Sequence, residues 1–224
     1  MLEVGAGLGS LTLAILETGA EVLAIELDRG LLAALLEVVG GTPGARVEHV
    51  DAMNADWEDL LGRGPWKTAS NLPYNVAVPV VMDLLEQTEV DPMVIMVQRE
   101  VGERLAAGPG EEAYGAVSLR VAYRAFARVI RRIPPAVFWP VPNIESVLVR
   151  LERRPPPVRV PFERVFRLVD EGFHQRRKTM ANALVRLGLT RDRAASAMEE
   201  AGLAPRARAE ELGLEDFARL AETL

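Results

Sequence analysis

Residues 3–9 read Glu3-Val4-Gly5-Ala6-Gly7-Leu8-Gly9. They follow a short apolar segment and precede Ser10-Leu11-Thr12-Leu13-Ala14-Ile15-Leu16, a run of helical character. A strand, a glycine turn and a helix make a nucleotide-type binding unit, because glycine accepts positive φ and lets a ligand approach the backbone closely. The spacing selects among such units. The dinucleotide fingerprint needs G-x-G-x-x-G, whereas here the third glycine falls at Gly9 and position 10 is Ser. Glycines at 5, 7 and 9, with the acid Glu3 two residues before the first, form the S-adenosylmethionine pattern and not the nicotinamide one. Glycine-rich turns also recur by chance, so the strand ends downstream have to agree.

They do. Glu21-Val22-Leu23-Ala24-Ile25-Glu26 reads as a second buried strand ending in an acid. Glu26 lies 17 residues past Gly9, where a carboxylate accepts both hydroxyls of a ribose. The plain alternative for Glu26 is a solvated helix N-terminus, a role that also suits Asp28. A third strand, Arg46-Val47-Glu48-His49-Val50, leads to Asp51-Ala52-Met53, with Asp51 placed to accept from the adenine amine of a cofactor. Lys67-Thr68-Ala69-Ser70 reads as a fourth strand and ends in Asn71-Leu72-Pro73-Tyr74. That tetrapeptide supplies a side-chain amide, a proline-fixed backbone and an aromatic face, a set that suits a flat, amine-bearing ring such as adenine. Taken alone it could equally be a turn with a buried Tyr. Ligands of open α/β sheets bind at the carboxyl ends of the strands, so the glycines, Glu26, Asp51 and Asn71 corroborate one another along one edge.

Apolar runs at 2–4, 21–26, 46–50, 67–71 and 92–97, separated by helical patterns, predict parallel strands. Segments 126–133 and 145–151 close the sheet as a hairpin-like pair. The expected fold class is α/β, a mostly parallel seven-stranded Rossmann-like sheet over residues 1–151. Residues 152–157, with three prolines, form the linker. Helical patterns at 162–174, 177–187, 191–201 and 215–223 predict a small all-helical domain over 158–224. The chain has no run of 18 apolar residues and no signal-peptide pattern. Zero Cys excludes disulfides and thiolate catalysis, and His49 and His174, far apart, make a metal site or a Ser-His triad a poor reading. The expectation is a cytoplasmic, monomeric enzyme that uses no metal and no membrane.

With these residues in view, the chain resembles the ribosomal RNA adenine N6,N6-dimethyltransferases, in particular the small-subunit branch. The resemblance covers nearly the whole chain. It runs through Glu3 to Thr12, Ala24 to Arg29, Asp51 to Met53, Asn71 to Asn75 and Gln98 to Val101. It continues with Ala107-Gly108-Pro109, Ala113-Tyr114-Gly115, Pro134 to Pro142, Glu145 to Leu151 and Gln175 to Leu184. The proline-rich segment and Arg176-Arg177-Lys178-Thr179 separate this branch from generic methyltransferases. The resemblance implies a class I S-adenosylmethionine-dependent methyltransferase acting on the N6 amine of two adjacent adenosines in small-subunit ribosomal RNA. It implies Glu3, Gly5, Gly7, Glu26, Asp51, Ala52 and Asn71 at the cofactor, and Asn71, Leu72, Pro73 and Tyr74 as the catalytic group. There are two departures. Family members usually carry a few dozen residues, with a Gln- and Phe-containing stretch, ahead of the first strand, whereas Met1 stands directly before Leu2. Either the start lies further upstream or the form is shortened, and for this chain as it stands a cofactor affinity below that of a full-length relative is the expectation. Asn143 stands where the family generally has Lys.

A net charge of −6 speaks superficially against an RNA partner. The distribution softens this: residues 1–157 carry net −7 and residues 158–224 net +1. Arg120 and Arg124 share a helix face at i, i+4, followed by Arg128, Arg131 and Arg132, and Arg176-Arg177-Lys178 form a second cluster. Such clusters are often ordinary solvated faces; beside an adenine site, phosphate tracking by Arg120, Arg124, Arg176, Arg177 and Lys178 is the better reading. Phe138 and Trp139, in the Pro-rich loop, either pack on an extruded base or belong to the core. Two alternatives stand beside the main reading: a large-subunit adenine methylase of the antibiotic-resistance type, and a non-catalytic module that checks ribosome assembly.

Overall fold

The computed structural model describes residues 1–87 and 89–224. Seven strands alternate with helices through the first part of the chain. They are β1 (Leu2–Val4), β2 (Val22–Glu26), β3 (Ala45–His49), β4 (Trp66–Asn71), β5 (Val90–Gln98), β6 (Ala125–Ile133) and β7 (Ser146–Arg153). They form one sheet in the order β3-β2-β1-β4-β5-β7-β6. Pairings among β1 to β5 are parallel, and β7 runs antiparallel to β5. Strands buried on both faces read as continuous apolar runs, and Leu2, Leu23, Ile25, Met93, Ile95, Val147 and Val149 are accordingly inaccessible to solvent.

The intervening helices are α1 (Ser10–Leu16), α2 (Arg29–Val39), α3 (Trp57–Leu61), α4 (Ala77–Glu86), α5 (Arg99–Ala106) and α6 (Ala116–Arg124). Beyond β7 come α7 (Phe162–His174), α8 (Met180–Arg186), α9 (Arg191–Glu200) and α10 (Leu214–Glu222). Strand order reverses at β1/β4, the switch point where open α/β sheets hold ligands outside the carboxyl ends of their strands. No helix among the described residues is long and apolar enough to cross a membrane.

Two compact units result: Met1–Gly102 with Ala127–Arg153, and Glu103–Phe126 with Arg154–Leu224. The division differs from the expected 1–151, 152–157 and 158–224 in one substantial respect. Residues 103–126 join the helical unit, because Ala107, Tyr114 and Leu119 share a core with Val165, Phe166, Met180 and Phe217. The Tyr114 hydroxyl donates to the Leu212 carbonyl at 2.8 Å from within that core. Burial raises the pKa of that hydroxyl far above its ordinary value. β7 also runs two residues past the expected end at 151, to Arg153, whose guanidinium donates to the Val90 and Leu84 carbonyls. The helix expected from 177 begins only at Met180. Thr179 is held in a β-bridge with Arg208, and the Met180 amide donates to the Ala207 carbonyl, so Arg177 and Lys178 lie in the turn before the helix.

Candidate active site

The glycine turn after β1 has the backbone that its sequence demands. Gly5, Gly7 and Gly9 sit at φ 73°, 58° and 85°, a region L-residues with a side chain rarely adopt. Gly5 and Gly9 are also closely approached by neighbouring side chains, Gly9 more tightly than Gly5. A Cβ on Gly5 would stand 3.1 Å from the Pro73 Cδ, and one on Gly9 would stand 2.8 Å from a Leu35 methyl on α2. The first of these distances matters for function: the glycine turn and the Asn71-Leu72-Pro73-Tyr74 loop touch directly.

Glu26, at the end of β2, is almost fully buried, and its carboxylate is clamped by backbone. One oxygen accepts from the Gly7 amide at 2.8 Å; the other accepts from the Leu27 and Asp28 amides, each at 2.9 Å. Three donors hold the group in one orientation and leave room for a further partner on a carboxylate with about four acceptor sites. Asp28 caps α2 by accepting from the Gly30 and Leu31 amides. Asp51 shapes its own loop, accepting from the Met53 amide at 3.0 Å and from the Asn54 side chain at 2.7 Å.

These strand ends line one cleft of about 300 Å³ that includes Gly5, Glu26, Asp51, Ala52, Met53 and Pro73. A larger cavity of about 530 Å³, bordered by Met1, Glu21, Arg46 and Trp66, lies on the residues that begin β2, β3 and β4, away from these groups. Switch-point logic favours the smaller one. The cleft suits a nucleoside-bearing cofactor: Gly5 leaves a cradle that a Cβ would fill, and Glu26 offers a fixed carboxylate at the end of β2.

Of the cofactor candidates, Glu3, Gly7 and Asn71 are not among the residues lining this cleft, and of these Glu3 is the buried one. It is 2% exposed, and its carboxylate accepts from the Thr12 hydroxyl at 2.6 Å. Alternation along β1 turns it toward α1, so it supports the turn from beneath and does not line the cleft. Burial pushes its pKa up to about 7, with the Thr12 hydrogen bond pulling weakly the other way.

Within the tetrapeptide, the Leu72 side chain is buried while Asn71, Pro73 and Tyr74 are exposed. The Leu72 amide donates to the Met96 carbonyl of β5 at 3.1 Å, anchoring the loop. Among the described residues, nothing hydrogen-bonds the Asn71 side chain or donates to the Leu72 carbonyl. Tyr74 is 40% exposed, not buried in a turn, and its hydroxyl sits 3.3 Å from the Ser146 hydroxyl at the start of β7. The sequence offers no signal for Ser146, which lies 72 residues away. Ser70 is a second such residue: its hydroxyl accepts from the Val4 amide at 2.9 Å and locks β4 to β1.

The basic residues divide. Arg120 makes two 2.7 Å bonds to Asp170, with its guanidinium 4.9 Å from the centre of the Phe166 ring. The Arg124 guanidinium lies 4.3 Å from the Phe162 ring centre. The shared face of Arg120 and Arg124 therefore packs on α7, where Arg120 is paired with Asp170. Arg176 is tied to Glu210 at 2.6 Å and to the Glu112 carbonyl at 2.9 Å. Arg177 and Lys178 remain exposed. In the proline-rich loop Phe138 is half-buried and Trp139 is 95% exposed, so Trp139 is the presented aromatic. Among the described residues, no group of three or more His, Asp or Glu side chains could hold a metal.

The chain matches the profile described as ribosomal RNA adenine dimethylase over residues 1–224. It is 46% identical to the ribosomal RNA small subunit methyltransferase A of Thermobifida fusca, over 99% of this chain and 79% of that protein. In fold it is similar to a dimethyladenosine transferase from Plasmodium falciparum, with TM-score 0.78 and 20% identity over 98% of this chain and 87% of that one. It is also similar to the 23S rRNA methyltransferase ErmE, with TM-score 0.75 and 24% identity over 100% of this chain and 89% of that one.

Proposed function

The chain belongs to the ribosomal RNA adenine dimethylase family, and from that premise we propose that it transfers methyl groups from S-adenosylmethionine to the N6 amine of adenosines in small-subunit ribosomal RNA, two adjacent ones by the family resemblance. One observation carries the site assignment. Pro73 packs on Gly5, bringing the unpartnered Asn71 amide and Leu72 carbonyl beside the cofactor cleft. The names of its relatives favour the small subunit over the large one.

Bound S-adenosylmethionine supplies an electrophilic methyl group on a sulfonium. Glu26 would hold the cofactor's ribose by accepting from its hydroxyls, and Asp51 and Ala52 would hold its adenine. An exocyclic adenine amine is a poor nucleophile because its lone pair is delocalised into the ring. The Asn71 side-chain oxygen and the Leu72 carbonyl accept hydrogen bonds from the amine protons, which favours a pyramidal nitrogen and aims the lone pair. Pro73 holds Leu72 extended. Tyr74 stacks on the target base once that base has been splayed out of its helix. The nitrogen sheds its proton readily after transfer, so the loop needs no strong base, and most of the rate comes from alignment.

Calorimetric titration tests the cofactor assignment. S-adenosylmethionine or its demethylated product should bind, and NAD should not. Glu26→Ala should weaken binding by about 1.5–3 kcal/mol, the usual range for a hydrogen bond to a charged group. NAD binding with no response to S-adenosylmethionine would overturn the assignment.

A further inference from the structure

We propose that the outer strand β6 is a phosphate-contacting surface for the RNA substrate, with Arg128, Arg131 and Arg132 as its contacts. Between Glu112 and Glu145 the chain has no acidic residue, in a protein with 32 of them. β6 occupies the edge of the sheet, and all three arginines on it are exposed. Of the arginines on the neighbouring strand, Arg150 takes Glu152, the single acidic residue of β7. Among the described residues no carboxylate pairs with Arg128, Arg131 or Arg132, whereas Arg120 and Arg176 are neutralised by Asp170 and Glu210.

Three unpaired guanidinium groups within five residues are unusual on a chain of net charge −6. Side chains alternate along a strand, so Arg128 and Arg132 share one face and Arg131 takes the other, with Val129 and Ile130 exposed between them. Arg128 and Arg132 lie about 13 Å apart along the strand, the span of a few nucleotides. Ile133 leads directly into the loop that presents Trp139, and that loop returns to Ser146, the partner of Tyr74. RNA lying along β6 would therefore run toward the loop next to the target-base site.

Charged residues on an edge strand also discourage sheet-to-sheet aggregation, and the test must separate the two roles. Replacing Arg128, Arg131 and Arg132 together by Glu keeps the edge charged but reverses its attraction for phosphate. This proposal rests on ribosomal RNA being the substrate, so the wild-type chain is measured first on unmethylated small-subunit ribosomal RNA; no binding there would refute the functional reading itself. Given wild-type binding, the triple Glu variant should bind about tenfold or more weakly, with the slope of log affinity against log salt reduced by about 2 to 3. Its S-adenosylmethionine affinity should be unchanged. Wild-type affinity and slope in that variant would overturn the proposal and leave the arginines as edge guards. If the triple Glu variant does not fold, Arg128→Gln with Arg132→Gln decides the matter, by a slope lower by about 1 to 2 or an unchanged one.

Discussion

At the scale of single residues, the proposed chemistry turns on an amide and a ring. If Asn71 orients the target amine, its contribution is made in the transition state, and Asn71→Ala should lower kcat while leaving S-adenosylmethionine binding nearly intact. By the measure of other transition-state hydrogen-bond partners, the loss should be on the order of 10²–10³-fold. Tyr74→Ala should cost about 1–3 kcal/mol through lost stacking. Tyr74→Phe loses only the 3.3 Å contact with Ser146, about 0.5–1.5 kcal/mol. Single-turnover rates beside calorimetric affinities separate these effects. Glu3 makes a different prediction. A carboxyl whose pKa rises from 4.5 unfolded to about 7 folded holds its proton more tightly in the native state, so its contribution to stability falls as pH rises across that window. Glu3→Gln keeps an acceptor for Thr12 and should flatten the decline in melting temperature between those pH values; an unchanged profile would mean that Glu3 does not titrate there. Glu26, Asp51 and the Asn71 loop were legible in the sequence because each is a short motif at a strand end. The fate of Arg120 was not, since it depends on Asp170 and Phe166, both distant in the chain. The choice between Phe138 and Trp139 was equally hidden, because a proline-rich loop has no period from which exposure can be read.

At the scale of elements, five apolar runs announced the parallel strands and two further segments the closing pair, while the strand–glycine–helix unit announced the glycine turn. Element ends were less legible where a long-range bond sets them. Thr179 is withdrawn from α8 by its bridge to Arg208, and Arg153 is retained in β7 by carbonyls of α4 and β5. Gly102 in α5 is a further case, invisible as a packing residue in the sequence. A Cβ there would meet Val149 at 2.9 Å and Val97 at 3.3 Å, with a Val147 methyl nearer still. Overpacking of this kind costs about 1–3 kcal/mol, so Gly102→Ala should lower the unfolding free energy by that amount, and the denaturation midpoint with it, despite the better helix propensity of Ala. A midpoint equal to or above wild type would show that α5 sits further from β7 than described.

At the scale of the whole molecule, patterning distinguished an α/β part from a helical part but misplaced residues 103–126. They follow the α/β alternation in order along the chain, while Tyr114 and Leu119 bury themselves with α7, α8 and α10. The same stretch ends where the acid-free segment 113–144 delivers its unpaired arginines to β6, which reconciles an acidic chain with a polyanionic substrate. The central claim is chemical: a methyl group moves to the exocyclic nitrogen of adenine in small-subunit RNA. Radiolabelled methyl transfer from S-adenosylmethionine into unmethylated small ribosomal subunits, followed by mass spectrometry of the digested RNA, tests it most directly. N6,N6-dimethyladenosine at adjacent positions, lost in Asn71→Ala, is the predicted result; a methyl group on carbon or on a ring nitrogen, or full activity in Asn71→Ala, would contradict it.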